Sequence, residues 1–374
     1  MSAKHLHIVC LDVPFPADYG GAIDMFYRIQ ALHSLGLKLS IHVFEYGRGR
    51  QVELKKYGDV HYYTRKKSIF HLFSKRPFIV QSRMSKELLE NLSRDRDPIL
   101  LEGLHTCGLL EFPAIQERLT FARMHNIEHD YYRGLTFGSS FLKRWFFRLE
   151  AQKLQQYESI LSKAKHVFVI KESDCEHFKT YQANTHFLPA SFPPIPGKLV
   201  DAKRYALIHG NLSVPENEQS VYWIASTLEK VIDDSFPLVV SGKNPSKRLT
   251  AFCHKHGIQL IANPSENALN TLIQEAQIHL LHTKVPSGIK LKLLSSIHSS
   301  GHVLVNANVV VGSGLASFCT VADDPKEYRM HFIGLKNHVL TREEFIQRHA
   351  YIETHFNTAA NCKIILRLIE QDHA

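Results

Sequence analysis

The chain has 374 residues, 44% hydrophobic and 22% charged, with 45 Lys and Arg against 36 Asp and Glu for a formal charge of +9. That length is too great for one ordinary core and suits two domains, and no apolar run approaches the roughly 18–20 residues that span a bilayer. The positive balance favours phosphate-bearing ligands or anionic lipid; with no helix-turn-helix, finger or RNP-like motif beside it, nucleic acid is not expected.

The amino terminus runs straight into a strand at residues 6–11, without a signal-peptide core. Cys10, Cys107, Cys175, Cys253, Cys319 and Cys362 are scattered, with no C-x-x-C pair. Free thiols in a reducing cytoplasm are therefore expected, rather than a disulfide frame or zinc knuckle. After the first strand come Gly20-Gly21, a helical pattern through Met25, Ile29 and Leu32 that stops at Gly36, and a strand at 39–44. Strand, Gly-rich loop, helix, strand is a βαβ unit, and its repetition predicts parallel sheets. Gly20-Gly21 falls at the carboxyl side of a strand, where open α/β sheets bind ligands; a loop needing positive φ would also use the pair.

Two stretches, 65–78 and 141–149, interleave cationic with bulky apolar residues. The pattern suits peripheral contact with an anionic membrane surface or a groove for a lipid-linked acceptor; amphipathic helices with buried aromatics would share it. Between them, one strand is expected to end in Glu102 and His105, and a second in His125, Asn126, Glu128 and His129. His125-Asn-Ile-Glu-His also fits the H-x-x-E-H zinc-protease signature, but that chemistry needs both histidines on one helical face, and this segment ends a strand. Asp95-Arg-Asp97 looks like a metal-binding D-x-D, yet it precedes a strand and reads as a solvated charge run.

Four prolines between Pro189 and Gly197 mark a linker, dividing the chain into domains 1–188 and 189–374. A second α/β series follows, each short apolar strand leading into a polar loop: Gly210-Asn-Leu-Ser-Val-Pro-Glu-Asn, Ser241-Gly-Lys-Asn-Pro, Ser287-Gly-Ile-Lys-Leu-Lys-Leu-Leu and Gly312-Ser-Gly-Leu. A helix is expected to open at Ser287-Gly288, presenting free N–H groups and the positive end of its dipole. Lys290 and Lys292 in its first turns are unfavourable there unless an anion docks, and a diphosphate suits. The alternative is a solvated basic helix start.

Taken in order, Gly20-Gly21 with Arg28, the His125-Asn-Ile-Glu segment and these four loops resemble the GT-B glycosyltransferases, most closely their family 4. The resemblance implies two Rossmann-like α/β domains facing a cleft, with a last helix crossing back to the first domain. It implies sugar transfer from a nucleotide-diphosphate donor to a glycan or lipid-linked acceptor, with retention and without a metal or other cofactor. His125 matches the active-site histidine that contacts the transferred sugar. Gly20, Gly21, Gly210, Asn211, Lys243, Ser287, Gly288, Ile289, Lys290 and Lys292 fall on the donor side, and Glu102, His105, Asn126 and Glu128 on the acceptor or sugar side. The chain departs from the family in having Asn211 where many members have Arg, and in lacking a Glu-x7-Glu pair around the fourth segment, near Val285 to Ser287 and Ser295. Lys290 and Lys292 would supply the missing positive charge. A nucleotide-sugar-binding protein without catalysis, or a sugar-nucleotide epimerase of the same fold, would share the architecture.

Overall fold

A computed structural model describes residues 4–136, 140–194, 198–286 and 288–372. It divides into two compact units, Met1–Pro193 with Phe356–Ala374, and Pro194–His355. Each is built on one parallel sheet, because each strand is followed by a crossover long enough to return the chain to the same edge.

The first sheet has seven strands: β1 (His5–Cys10), β2 (Lys38–Glu45), β3 (Asp59–Thr64), β4 (Ile99–Glu102), β5 (Thr120–Met124), β6 (His166–Val169) and β7 (Thr185–Phe187), in the order β3-β2-β1-β4-β5-β6-β7. The order reverses beside β1, so the carboxyl ends of β1 and β4 diverge to make a crevice. Alternation within β1 assigns its faces. Leu6, Ile8 and Cys10 join a core with Met25, Ile29 and Leu32 of the Gly20–Ser34 helix, while Val9 faces the opposite core with Leu101, Ala122 and Val167. The final helix, Thr358–Asp372, inserts Cys362, Ile365 and Ile369 into the first of these cores against Gly20–Ser34, so the chain's end returns to its first unit as expected. Thr358 fastens its start: its hydroxyl donates to the Phe192 carbonyl at 3.0 Å and accepts from the Phe192 N–H at 2.9 Å.

The second sheet has six strands: β8 (Lys203–Asn211), β9 (Leu238–Lys243), β10 (Gln259–Ala262), β11 (Ala276–Leu281), β12 (His302–Val305) and β13 (Thr320–Val321), in the order β10-β9-β8-β11-β12-β13. Its strands are nearly continuous apolar runs, as expected where helices cover both faces. Ala206, Ile208, Leu238 and Val240 pack with Val221 and Ile224 of the Pro215–Leu228 helix, and Tyr205, Leu207 and Val239 with Ile273 on the other side. The six cysteines form no disulfide. Among the described residues, no helix is long and apolar enough to cross a membrane.

Some local expectations are revised. Strand β4 ends at Glu102; Gly103 turns the chain with φ +71°, and His105 lies in the 3-10 turn Leu104–Glu111. Strand β5 ends at Met124, and Glu128 and His129 open the Glu128–Leu135 helix. The Asp95–Asp97 run is only partly solvated: Asp95 pairs with His7 and Arg118, and Asp97 with His5. The two basic–aromatic stretches lie together, with Phe78 edge-on to Phe146 and the Lys153 ammonium donating to the Leu72 carbonyl at 2.7 Å. Their outer aromatics are not core: Phe70, Phe73, Phe141 and Trp145 are exposed.

Candidate functional site

In the first unit, the crevice beside β1 is built around a buried ion network. The Gly20–Ser34 helix begins at Gly20 with no side-chain cap, leaving its first N–H groups without partners in the helix. Neither glycine has positive φ; a Cβ on Gly21 would stand 3.0 Å from the Tyr19 ring, so the pair lets backbone lie close to that ring. One turn on, Asp24 and Arg28 share a face of this helix. Arg28 forks across two carboxylates, its Nε and one terminal nitrogen donating to Glu102 at 3.0 and 2.9 Å and its terminal nitrogens to Asp24 at 3.1 and 2.7 Å. Arg123, next to last in β5, donates to Asp24 at 3.2 Å and to the carbonyls of Leu188 and Pro189. The Ser191 N–H donates to Asp24 at 2.6 Å, so the start of the proline-rich stretch is held by the same ions.

Two guanidinium groups face two carboxylates, which is why these ions can be buried at all. Burial alone would raise the Asp24 carboxyl, but Arg123 and Arg28 outweigh it and hold Asp24 far below the ordinary carboxylate range. Burial likewise opposes the ionisation of Glu102, but Arg28, with His125, outweighs it and keeps the carboxylate charged. His125, just past β5, donates from Nε2 to Glu102 at 2.9 Å, while Nδ1 stands 3.8 Å from Asp24. Its ring is therefore oriented by a carboxylate whose own position Arg28 fixes. Ligand atoms of Asp24, Glu102 and His125 lie within 4.8 Å of one another, but both carboxylates already bind guanidinium groups, so the trio suits a metal ion poorly.

The remaining first-unit candidates fall around this network. His105 has a buried Nδ1 with no hydrogen-bond partner, and burial, then the charge of Arg83, lowers its basicity. Glu128 is buried and pushed up to about 7 by desolvation, with Asn126 as its hydrogen-bond partner. His125 and His129 part company: His129 donates to Glu158 at 2.8 Å, away from the Glu102 cluster. The zinc-protease geometry is thus not formed.

In the second unit the carboxyl ends of β8, β9 and β11 converge. Gly210 adopts φ +145°, and a Cβ on its neighbour Gly242 would sit 1.8 Å from the Gly210 carbonyl, so β8 and β9 approach more closely than any side chain permits. Asn211 accepts from the Ser213 N–H at 3.1 Å and hydroxyl at 2.7 Å, fixing the turn, and pairs in register with Lys243, the last residue of β9 rather than a loop residue. The helix expected at Ser287-Gly288 begins at Leu291 and has seven residues. Gly288, with φ +62°, and Ile289 lie in the turn before it, and Ser287 lies outside the described residues. The delay follows from the positive φ, which a right-handed helix cannot absorb.

The two lysines have partners that sequence reading missed. Lys290 Nζ donates to Glu216 Oε1 at 3.1 Å, and Lys292 Nζ to Asn217 Oδ1 at 2.8 Å, both acceptors in the first turn of Pro215–Leu228. Glu216 also accepts from the Thr283 hydroxyl, and Thr283 is locked to Asn306 by two reciprocal 2.9 Å bonds. Burial, then the neighbouring Lys290, lowers the Lys292 ammonium to about 8. Two ammonium groups thus stand beside one carboxylate, with Lys292 on a neutral amide oxygen, leaving an excess of positive charge where backbone turns end the strands. Asp24 and Arg123 escaped the sequence reading, and Glu216 and Asn217 stood in the Gly210 loop without an assigned role. A charged residue inside the apolar β5 run, and an Asp four residues before Arg28, were the available signals.

A scan against protein-family profiles finds no match. A protein of Klebsiella pneumoniae described as an uncharacterized 44.6 kDa protein in a cps region is 23% identical over 360 residues, covering 90% of this chain and 92% of that one. Among solved structures, sucrose-phosphate synthase from Thermosynechococcus elongatus superposes with a TM-score of 0.71 at 12% identity, covering 98% of each chain. TarM of S. aureus, solved with fondaparinux, alpha-GlcNAc-glycerol and UDP, gives 0.67 at 10% identity over 99% of this chain and 100% of that one. HepE of Anabaena, solved with UDP and glucose, gives 0.62 at 9% identity over 99% and 100%. With two parallel α/β sheets and a last helix packed on the first, this chain has the GT-B fold of glycosyltransferases.

Proposed function

We propose that the protein is a glycosyltransferase that moves a sugar, with retention, from a nucleotide-diphosphate donor to a glycan or lipid-linked acceptor. The observation that carries this reading is the lysine pair at the carboxyl end of the second sheet, Lys290 held by Glu216 and Lys292 by Asn217, in a chain of GT-B fold. As the glycosidic bond breaks, the leaving diphosphate gains charge, and Lys290 and Lys292, fixed in advance by Glu216 and Asn217, stabilise it without reorganising. No metal is assigned to this step, because ammonium groups supply the charge. His125, held by Glu102, orients the sugar, and buried Glu128 with His105 lines the acceptor side. The UDP in the TarM and HepE structures and the cps-region relative support a donor of this class and a place in cell-surface polysaccharide synthesis.

A lipid-linked acceptor is favoured by one surface of the first unit. Ile69, Phe70, Phe73, Phe141, Leu142 and Trp145 are exposed there. Lys66, Lys67, Lys143, Arg144 and Arg148 flank them, also exposed, and neither stretch carries an acidic residue. Apolar side chains ringed by cations bind anionic bilayers, so this surface would hold the enzyme at its acceptor.

The test is thermal stability of the purified chain against a panel of nucleotides and nucleotide sugars. Saturation at 100 times the dissociation constant adds about 2.7 kcal/mol. A shift confined to one nucleotide family and lost in Lys292→Met supports the donor site, and no shift in folded protein overturns it. Sugar transfer to a membrane extract then separates transferase from mere binding protein. Sedimentation with vesicles containing phosphatidylglycerol, abolished by Phe70→Ser with Trp145→Ser, checks the membrane surface.

A further inference from the structure

The opposite, amino-terminal end of the first sheet holds a second cluster that sugar transfer does not use. His5 and His7 lie two apart on β1 and so point to the same face, and β1 pairs with β4 such that His7 stands beside Ile99. This register brings the preceding Asp95-Arg-Asp97 turn over both histidines. His5 Nδ1 is 2.7 Å from Asp97 Oδ2, and His7 Nε2 is 3.0 Å from each oxygen of Asp95. One ligand atom from each of the four residues falls within 4.8 Å of all the others.

We propose that His5 Nδ1, His7 Nε2, Asp95 and Asp97 form a binding site for a divalent transition metal ion, zinc above all. Two imidazoles and two carboxylates are a donor set that zinc takes tetrahedrally, with the Asp97 carboxylate free of any guanidinium among the described residues and Asp95 shared with Arg118 to offset its charge. The surroundings are those that a metal site needs. Each histidine has its other nitrogen committed: His5 Nε2 to the Ser40 hydroxyl at 2.9 Å, and His7 Nδ1 to His42 Nε2 at 3.0 Å. His42 in turn meets the Tyr63 hydroxyl at 2.9 Å, which accepts from Asn91 at 2.8 Å.

This relay runs in either direction. Without metal, Tyr63 donates to His42, His42 to His7, and His7 Nε2–H to Asp95. With metal on Nε2, His7 donates from Nδ1 to His42, and His42 donates to the Tyr63 oxygen. The imidazole thus becomes a neutral ligand without losing its bond to His42. Arg118 donates to Asp95 Oδ1 at 2.8 Å and to the Asp97 carbonyl at 2.9 Å, orienting the turn and leaving Asp95 Oδ2 to the ion. Access is graded: His7 is 5% exposed, while Asp95 and Asp97 are 34% and 37% exposed, giving an entry path from solvent. The ion would staple the turn before β4 to the amino end of β1, at the far end of that strand from Gly20.

The full-length chain, stripped with a chelator and shown to be folded, would be equilibrated with zinc chloride, desalted and assayed for metal. About one zinc per chain and a higher Tm are expected; substoichiometric zinc with an unchanged Tm overturns the proposal. His5→Gln with Asp97→Asn, both at partly exposed positions, should weaken binding roughly 100-fold or more. His177→Ala, which disrupts the separate His129–Glu158–His177 cluster, should leave it intact. Full binding by the double variant, or loss in His177→Ala, would place the metal elsewhere and reject the site. Should the double variant fail to fold, imidazole 15N shifts in the wild-type chain decide: zinc must move His5 Nδ1 and His7 Nε2, and unmoved resonances refute ligation.

Discussion

The two units place charge at the carboxyl ends of their sheets in opposite ways. In the first, two guanidinium groups meet two carboxylates in full burial, and the network is closed on itself with His125 as its outward product. In the second, two ammonium groups stand against one carboxylate, Lys290 on Glu216 and Lys292 on the neutral Asn217 amide, and the cluster keeps positive charge to spare. A compensated network is a scaffold, since its ions have nothing left to offer a ligand. An under-compensated one is a receptor, since an anion completes it. Removing a member should therefore cost the first unit stability and the second unit affinity.

The sharpest way to break this contrast is Arg28→Ala. It strands Asp24 and Glu102 without their shared partner, and loss of one member of a buried ion cluster costs about 3–5 kcal/mol. Calorimetry or urea unfolding should show that loss, and a variant as stable as the parent would mean the network does not support the fold. Next is Glu128, a buried carboxyl in the same unit, where burial outweighs the pull of Arg83. Its folded value, about 7, lies above the ordinary 4.5. The folded state then binds more protons than the unfolded one between those values, so stability falls as pH rises through that window, by up to about 3 kcal/mol. Glu128→Gln should match the parent near pH 4 and exceed it at pH 8; parallel stability profiles would contradict the assignment.

His125→Ala tests what the scaffold presents. Misplacing the sugar should lower turnover about 100-fold, with donor binding nearly unchanged, which initial rates and a nucleotide titration would resolve. An equal drop in donor affinity would move His125 from orientation to binding. The smallest effect is expected in the receptor. Lys292 is charged below about 8, so nucleoside diphosphate affinity should decline as pH rises through 8. Lys292→Met should already be roughly tenfold weaker at pH 7, a difference of about 1.4 kcal/mol, and should not show that decline. At pH 8 to 9, binding to the parent should take up protons, measurable by calorimetry in buffers of different ionisation enthalpy.

Much of the fold was legible because strands and helices are local periodicities. The apolar runs that became β1, β8 and β11 and the 3.6-residue pattern of the Gly20–Ser34 helix stand in consecutive residues. Where conformation hinged on one residue, the reading slipped: Gly288, with its positive φ, delays the helix to Leu291. Asp95-Arg-Asp97 read as solvated because nothing in its neighbourhood of sequence shows that β4 will carry it to His5 and His7, some 90 residues away.

By itself, then, the sequence determined the two α/β halves, the parallel sheets, the loops that end their strands, and His125, Lys290 and Lys292 as the residues to watch. Only the tertiary structure decided which charges answer which: Arg28 to Asp24 and Glu102, Lys290 to Glu216, Asp97 to His5. The reason is physical. Backbone preference and burial pattern act over one element and are written in consecutive residues. Charge compensation acts across strands, and sheet order, which sets the partners, emerges only when the whole unit closes.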